Sequence, residues 1–329
     1  MSSKERPGED SLIARFFAPI AGEGALGLKD DAARLSPAPG HDLVLTVDAL
    51  VESIHFLPED SPGSVARKAL GVNVSDLAAK GADPAGFLLS LALPEDWTED
   101  WLAAFAAGLG EASRDFSCPL LGGDTVKTRG PLTLSVTAIG EVPAGRMVRR
   151  TTAGVGDLVC VTGTIGDAAL GLKLRSAPAW SGALSSEEKE HLADRYLHPR
   201  PRHRFATALR DHASAAMDVS DGLAGDLAKM MRASGASALI EAGQVPLSAA
   251  AAKAVRASPD LIDLALTGGD DYEILCTVPE KHLDSFRKEA DRVGLALSVI
   301  GRVVSGHDLP VFRMNGLERC YDVGSYQHF

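Results

Sequence analysis

Six acidic motifs are spread along this chain: Asp30-Asp31, Asp48, Asp76, Gly122-Gly123-Asp124, Asp218 with Asp221, and Gly268-Gly269-Asp270-Asp271. Each adjoins a short apolar run or a glycine turn instead of a solvated charged helix face. Carboxylates gathered in one place oppose each other's ionisation unless cations neutralise them. Hard oxygen donors that leave positions open for water or phosphate describe Mg²⁺. The pattern predicts a Mg²⁺-nucleotide site assembled from segments far apart in sequence. Asp48 ends an apolar run and Asp76 has apolar neighbours on both sides, where an unpaired carboxylate is costly. Gly122-Gly123 would let backbone approach a ligand while Asp124 reaches a cation. Asp218 and Asp221 flank Ser220 at a strand-to-helix turn and could face one crevice. Adjacent strand residues point to opposite faces, so only one of Asp30 and Asp31 should reach a metal.

Other motifs carry less. Gly22-Glu23-Gly24-Ala25-Leu26-Gly27 fits G-x-G-x-x-G, but the dinucleotide fingerprint needs a strand before it and a helix after it. Here the preceding segment is helical in pattern and Lys29-Asp30-Asp31 follows, so that reading is rejected. Gly163-Thr164-Ile165-Gly166-Asp167 reads either as a phosphate-binding turn at a helix start or as a plain tight turn. His55, after the Asp48 run, is open to a structural or a binding role. Arg150 is either a guanidinium for a nucleotide phosphate or a surface charge. Asn73-Val74-Ser75-Asp76 and Asp218-Val219-Ser220-Asp221 echo each other at an offset of 145 (221 − 76), and the two Gly-Gly-Asp motifs at 146 (270 − 124). The echo fits acidic turns from both halves serving one site, or two instances of common turn chemistry.

The 329 residues favour two α/β domains over one core. A formal net charge of −11 with no Lys/Arg block argues against nucleic-acid binding, which needs a basic patch. Cys118, Cys160, Cys276 and Cys320 form no close pair in sequence, and three of them sit in apolar or strand-like context, which predicts buried free thiols and a reducing compartment. The polar start and the shortness of the apolar runs predict a soluble cytoplasmic protein with no membrane partner.

These residues need elements to position them. Periodicity predicts helices over Ser11–Ile20, Ser64–Lys80 and Glu99–Arg114 and strands over Leu43–Val47, Phe87–Leu93 and Leu132–Ile139. Asn73 to Asp76 interrupt the second helix pattern with residues that prefer caps and turns. A basic, polar stretch from Pro143 to Gly156 marks a boundary, giving domains 1–145 and 146–329. Beyond it, strands over Leu158–Thr162, Ala215–Val219, Tyr272–Val278 and Ala296–Val303 alternate with helices from Asp167, Arg202, Gly222 and Glu280.

As a set, these motifs resemble one family. Gly27-Leu-Lys-Asp-Asp31, the run into Asp48 followed by His55-Phe56, and Asn73 to Pro84 resemble thiamine-monophosphate kinases. So do Leu121 to Thr125, Asp218 to Gly222, Gly268 to Glu273 and the ending Tyr326-Gln-His-Phe329, in order along nearly the whole chain. The resemblance implies a PurM-like two-domain fold, an N-terminal α/β ATP-binding domain that pairs in a homodimer and a C-terminal α+β domain. It implies direct transfer of the ATP γ-phosphoryl group to thiamine monophosphate. By motif, Asp30, Asp48, Asp76, Asp124, Asp218 and Asp221 would be catalytic and hold several Mg²⁺ ions, with Thr46 and Val47 contributing beside Asp48. Gly123, Asp124, Arg150 and Ser220 would contact the nucleotide, and His55, Asp270 and Tyr326 the thiamine phosphate. Two positions depart from the family pattern: Lys29 replaces a usual Gly, and Asp270 a usual Glu. A related ATP-dependent synthetase or maturation enzyme is the rival enzyme reading, although a selenide enzyme would want a reactive Cys near the N-terminus. The rival from another class, an inert Mg-nucleotide-binding regulator, would have lost metal carboxylates that this chain keeps.

Overall fold

A computed structural model describes residues 8–314, 316–322 and 324. The chain divides into two compact units, Met1–Leu77 with Pro84–Pro143, and Ala78–Asp83 with Ala144–Phe329.

The first unit holds α1 (Glu9–Leu12), β1 (His41–Val51), α2 (Pro62–Ala79), β2 (Asp83–Leu93), α3 (Glu99–Asp115), β3 (Leu120–Lys127) and β4 (Thr133–Pro143). Its four strands run in the order β1-β4-β2-β3. Alternation along β2 and β4 buries Phe87, Leu89, Leu91, Leu134 and Val136 and turns the intervening residues outward. Thr98 caps α3 by accepting from the Trp101 amide at 3.1 Å, with Glu99 and Asp100 in the positive first turn.

Four sequence expectations change here. The Ser11–Ile20 helix is irregular, passing from α1 into a π turn at Ile13–Phe17 and a 3₁₀ turn at Ala18–Ile20 that Pro19 enters. The strand expected to stop at Asp48 continues to Val51, so Asp48 is a mid-strand residue. Helix α2 is unbroken through Asn73 to Asp76. Its polar side chains find partners across the gap to β1: the Asp48 amide donates to Asn73 Oδ1 at 3.1 Å, and the Thr46 hydroxyl to Asp76 Oδ2 at 2.5 Å. Those partners remove the reason for Asn and Asp to break a helix. Finally, Gly122-Gly123-Asp124 lies within strand β3. The two echoed motif pairs therefore sit in different local structures, a helix against a turn and a strand against a loop.

The second unit holds β5 (Leu158–Thr162), α4 (Asp167–Leu174), α5 (Ser186–Leu197), α6 (Ala206–His212), β6 (Ala215–Asp218), α7 (Leu223–Ser234) and β7 (Ser237–Glu241). They are followed by α8 (Ala249–Ala257), α9 (Leu261–Thr267), β8 (Ile274–Val278), α10 (Leu283–Arg292), β9 (Leu297–Val304), β10 (Val311–Met314) and β11 (Leu317–Arg319). Seven strands order as β11-β10-β7-β9-β5-β8-β6. Val159 and Val161 of β5 join Met217, Leu227 and Met231 in one core. Leu158 and Cys160 face the other way, with Leu209, Cys276 and Phe286. The sheet is thus covered by α7 on one side and by α6 and α10 on the other. Cys160 and Cys276, distant in sequence, are direct partners across β5 and β8, and both are buried. Among the described residues, no helix is long and apolar enough to cross a membrane.

Candidate active site

In the first unit, the segment after α1 runs beside β3, with the Gly22 amide donating to the Leu120 carbonyl at 2.8 Å. It turns back on itself through an Arg34 amide to Gly24 carbonyl bond, also 2.8 Å, which presents Asp30 and Asp31. Among the described residues, π and 3₁₀ turns instead of a strand precede this glycine segment and no helix directly follows it, so its G-x-G-x-x-G spacing is not a dinucleotide fingerprint. A cleft of about 650 Å³ opens between this segment and β2, β3 and β4, within the size range of small-molecule sites. Asp30, Asp31, Gly123, Asp124, Ser90 and Thr137 line its polar part. Its charged and hydroxyl donors are all oxygens, without thiol or imidazole, and that set suits a hard divalent cation such as Mg²⁺.

A second group of oxygens lies between β1 and α2. Thr46, Asp48 and Asp76 are half-buried there, joined by the Thr46–Asp76 and Asp48–Asn73 bonds. Val47 points its side chain outward, 61% exposed, so only its carbonyl is available as a ligand. The structure therefore places Asp30 with Asp124, and Thr46 with Asp48 and Asp76, in two neighbourhoods. Among the described residues, no three His, Cys, Asp or Glu side chains are grouped closely enough to hold an ion by themselves. Lys29 is exposed beside Asp30.

His55 sits half-buried in the turn after β1, where its Nδ1 accepts from the Val51 amide at 3.0 Å. A neutral ring that accepts at Nδ1 carries its hydrogen on Nε2, which is then a donor.

In the second unit, a strand-to-helix turn and a loop are laced together. Asp218 ends β6 and is buried; Ser220 and Asp221 follow and are half-buried. The Asp270 amide donates to the Ser220 carbonyl, and the Tyr272 amide to the Val219 carbonyl, both at 2.8 Å. Asp218, Ser220, Asp221 and Asp270 are thereby brought together from segments about fifty residues apart. Asp270 also accepts from the Tyr272 hydroxyl at 3.2 Å. Arg150 is exposed, and its carbonyl accepts from Ser234 at 3.1 Å. Tyr326 lies outside the described residues.

Sequence reasoning missed two groups here. Lys229, on α7, pairs with Asp221 and, at 2.9 Å, with Asp226. Fully buried Asp226 accepts from the Ser220 and Asp221 amides at 3.0 and 2.9 Å, which shapes the turn. Burial pushes the Asp226 carboxyl up, against the pull of Lys229. The Lys229 ammonium thus offsets the repulsion between the Asp221 and Asp226 carboxylates. The i, i+3 spacing of Asp226 and Lys229 just after Asp221 was the available signal.

The second missed group settles the Gly163–Asp167 motif. Asp271 accepts from the Gly166 amide at 2.8 Å and from the Ala168 amide at 3.5 Å, so a carboxylate of the chain itself caps the start of α4. A phosphate has no place there. Burial raises the Asp271 carboxyl well above the usual range, partly offset by the Gly166 bond.

The comparisons with known proteins agree along the chain. Residues 29–142 match the N-terminal domain of AIR synthase related proteins, and residues 154–312 match their C-terminal domain. The thiamine-monophosphate kinase of Salmonella typhimurium is 40% identical over 327 residues, covering 98% of both chains. That of Caulobacter vibrioides is 40% identical over 93% of this chain and 87% of its own. The crystal structure of thiamine-monophosphate kinase from Stenotrophomonas maltophilia superposes with a TM-score of 0.80 at 40% identity, over 87% of this chain and 89% of the other. A solved complex of AaThiL with AMPPCP and TMP gives 0.78 at 31% identity over the full length of both. The hydrogenase maturation protein HypE, at 21% identity and a TM-score of 0.79, shares the fold. On identity, coverage and architecture together, this chain belongs to the thiamine-monophosphate kinase family.

Proposed function

We propose that this chain is a phosphotransferase that uses ATP and a divalent cation to convert thiamine monophosphate to thiamine diphosphate. The observation that carries it is 40% identity to a thiamine-monophosphate kinase across 98% of both chains. The acceptor is itself an ionised phosphate, so no general base is required to generate the nucleophile. Phosphoryl transfer then depends on alignment and on neutralising charge.

The residue roles follow the chemistry of each neighbourhood. Asp30 and Asp124 suit a cation in the cleft beside β3, with the Gly123 backbone at the nucleotide. Asp48 and Asp76, with the Thr46 hydroxyl and the Val47 carbonyl, suit a second, and Asp218 and Asp221 supply further ligands. When bound, Mg²⁺ neutralises phosphate oxygens that these carboxylates alone would repel. Arg150 and Ser220 are assigned to the nucleotide. His55, donating from Nε2, is assigned to the acceptor phosphate, Asp270 to its cationic or amino-bearing ring, and Tyr326 to an aromatic face.

We further assign the outward face of the first unit's sheet to a second copy of the chain. Leu43, Leu45 and Val47 of β1 point outward, a row of exposed apolar side chains that pairing would remove from water. Sedimentation of the purified chain should give the mass of a dimer; a monomer at micromolar concentration would refute this assignment.

Coupled release of ADP tests the activity, with thiamine monophosphate compared against thiamine. Turnover with the monophosphate alone is expected. EDTA should abolish it while leaving the circular dichroism spectrum intact, and Mg²⁺ should restore it. Full turnover in metal-free buffer, or equal rates with both acceptors, would refute the reading.

A further inference from the structure

The loop that carries Asp270 is held in an unfavourable backbone shape. Asp270 and Tyr272 have φ values of 67° and 50°, so two non-glycine residues on either side of Asp271 occupy the left-handed region. Such residues persist only where surrounding structure over-determines them, and they concentrate at ligand-binding positions.

What holds this loop is a buried ionic brace. Glu273, fully buried at the foot of β8, accepts from Arg202 Nε at 2.7 Å, from Arg195 Nη2 at 2.9 Å and from the Thr162 hydroxyl at 2.7 Å. A second contact, from Arg202 Nη2, makes that grip bidentate. Arg195 Nη2 also reaches the Asp271 carbonyl at 3.1 Å, between the two left-handed residues. Space for the carboxylate exists only because residue 163 is a glycine: a Cβ there would fall 2.1 Å from Glu273 Oε1. Arg202 is presented by Pro199-Arg200-Pro201, whose prolines restrict the chain leading to it. Two guanidiniums and a carboxylate are an expensive way to fill a protein interior, since apolar residues of similar volume stabilise a fold as well or better. Their directional bonds offer something apolar packing does not, a fixed path for the backbone of the loop.

We propose that Arg195 and Arg202 are positioning residues that, through Glu273 and the Asp271 carbonyl, fix the Asp270 carboxylate toward the cationic or amino-bearing ring of the acceptor. This rests on the assignment of Asp270 to the acceptor. Arg195 and Glu273 are buried, and neither arginine is assigned to a substrate. Loosening it lets Asp270 leave the left-handed region, and acceptor binding weakens while nucleotide binding is preserved.

The test compares Asp270→Asn, Arg202→Met, Arg202→Lys and the Arg202→Met/Asp270→Asn double variant. Steady-state kinetics would vary each substrate in turn, with calorimetric titration of thiamine monophosphate alone and thermal unfolding of each variant. The expected result is a rise of about 10-fold in acceptor KM and Kd for Asp270→Asn and Arg202→Met, with the KM for ATP within 2-fold. Arg202→Lys, which keeps charge but loses the bidentate grip, should fall between. The double variant should be no worse than Asp270→Asn, because both changes remove one interaction. If Asp270→Asn weakens acceptor binding but the Arg202 variants do not, or if they raise both KM values alike, the positioning role is overturned and the Asp270 assignment stands. If Asp270→Asn leaves acceptor binding unchanged, both fall. Should Arg202→Met not fold, Arg202→Lys decides by the same criterion.

Discussion

Gly123 offers a sharp test, because the sequence and the structure give different reasons for it. The motif suggests a glycine that lets a ligand approach the backbone. In the fold, Gly123 pairs with Leu89 in the parallel β2–β3 ladder. A Cβ at residue 123 would lie 1.8 Å from the Leu89 carbonyl oxygen and 2.8 Å from its carbon. Bringing that first contact out to 3.0 Å requires a shift of at least 1.2 Å (3.0 − 1.8) between backbone atoms, which no rotamer change can provide. Overpacking of this kind costs about 1–3 kcal/mol. One or two ladder hydrogen bonds weakened by the shift add about 0.5–1.5 kcal/mol each. Gly123→Ala should therefore lose about 1.5–6 kcal/mol of stability and, by displacing Asp124, raise the KM for ATP. Gly122→Ala is the control, since its Cβ would meet only Leu88 Cδ2 at 3.5 Å, an ordinary contact. Urea unfolding, followed by circular dichroism, measures both. If Gly123→Ala unfolds within about 0.5 kcal/mol of the parent chain, the range expected of a neutral surface change, the close-approach reasoning is wrong.

Three further outcomes are expected. Asp76→Asn and Asp124→Asn should each fold and each lower kcat by about 100-fold or more, the order seen when a single transition-state contact is removed; near-parental turnover would take that residue out of the proposed ligand set. Of the four thiols, Cys320 is exposed and the others are buried, so a thiol reagent at pH 8 should modify one quickly and three only on unfolding. Burial raises Cys118 from an ordinary 9.0 to about 12; its folded value exceeds its unfolded one, so its contribution to stability is full below pH 9 and is lost as pH climbs toward 12. Tyr326→Ala should raise the acceptor KM by about 2- to 30-fold, as loss of a cation–π contact of about 0.5–2 kcal/mol implies, and leave the KM for ATP unchanged.

Residue type and order alone carried the chemistry of this chain. Six acidic motifs with neither a P-loop nor a basic patch point to hard-cation chemistry, and their order along the chain identified the family. Strands such as Phe87–Leu93 and Leu158–Thr162 were legible too, because strand burial follows local patterns of apolar residues. Three things were decided only in three dimensions. Asn73 and Asp76 read as helix breakers, yet α2 continues through them because β1, far away in sequence, supplies the Thr46 hydroxyl and the Asp48 amide as partners. Gly163 to Asp167 read as a possible phosphate turn, yet Asp271 takes its amides from 105 residues away. The Arg195–Arg202–Glu273 brace was invisible, because its partners lie more than seventy residues apart and such an ion pair is recognised only by distance and burial. Local propensity fixes what each residue prefers; which polar group finds which partner is settled by the strands and helices that the whole chain brings together.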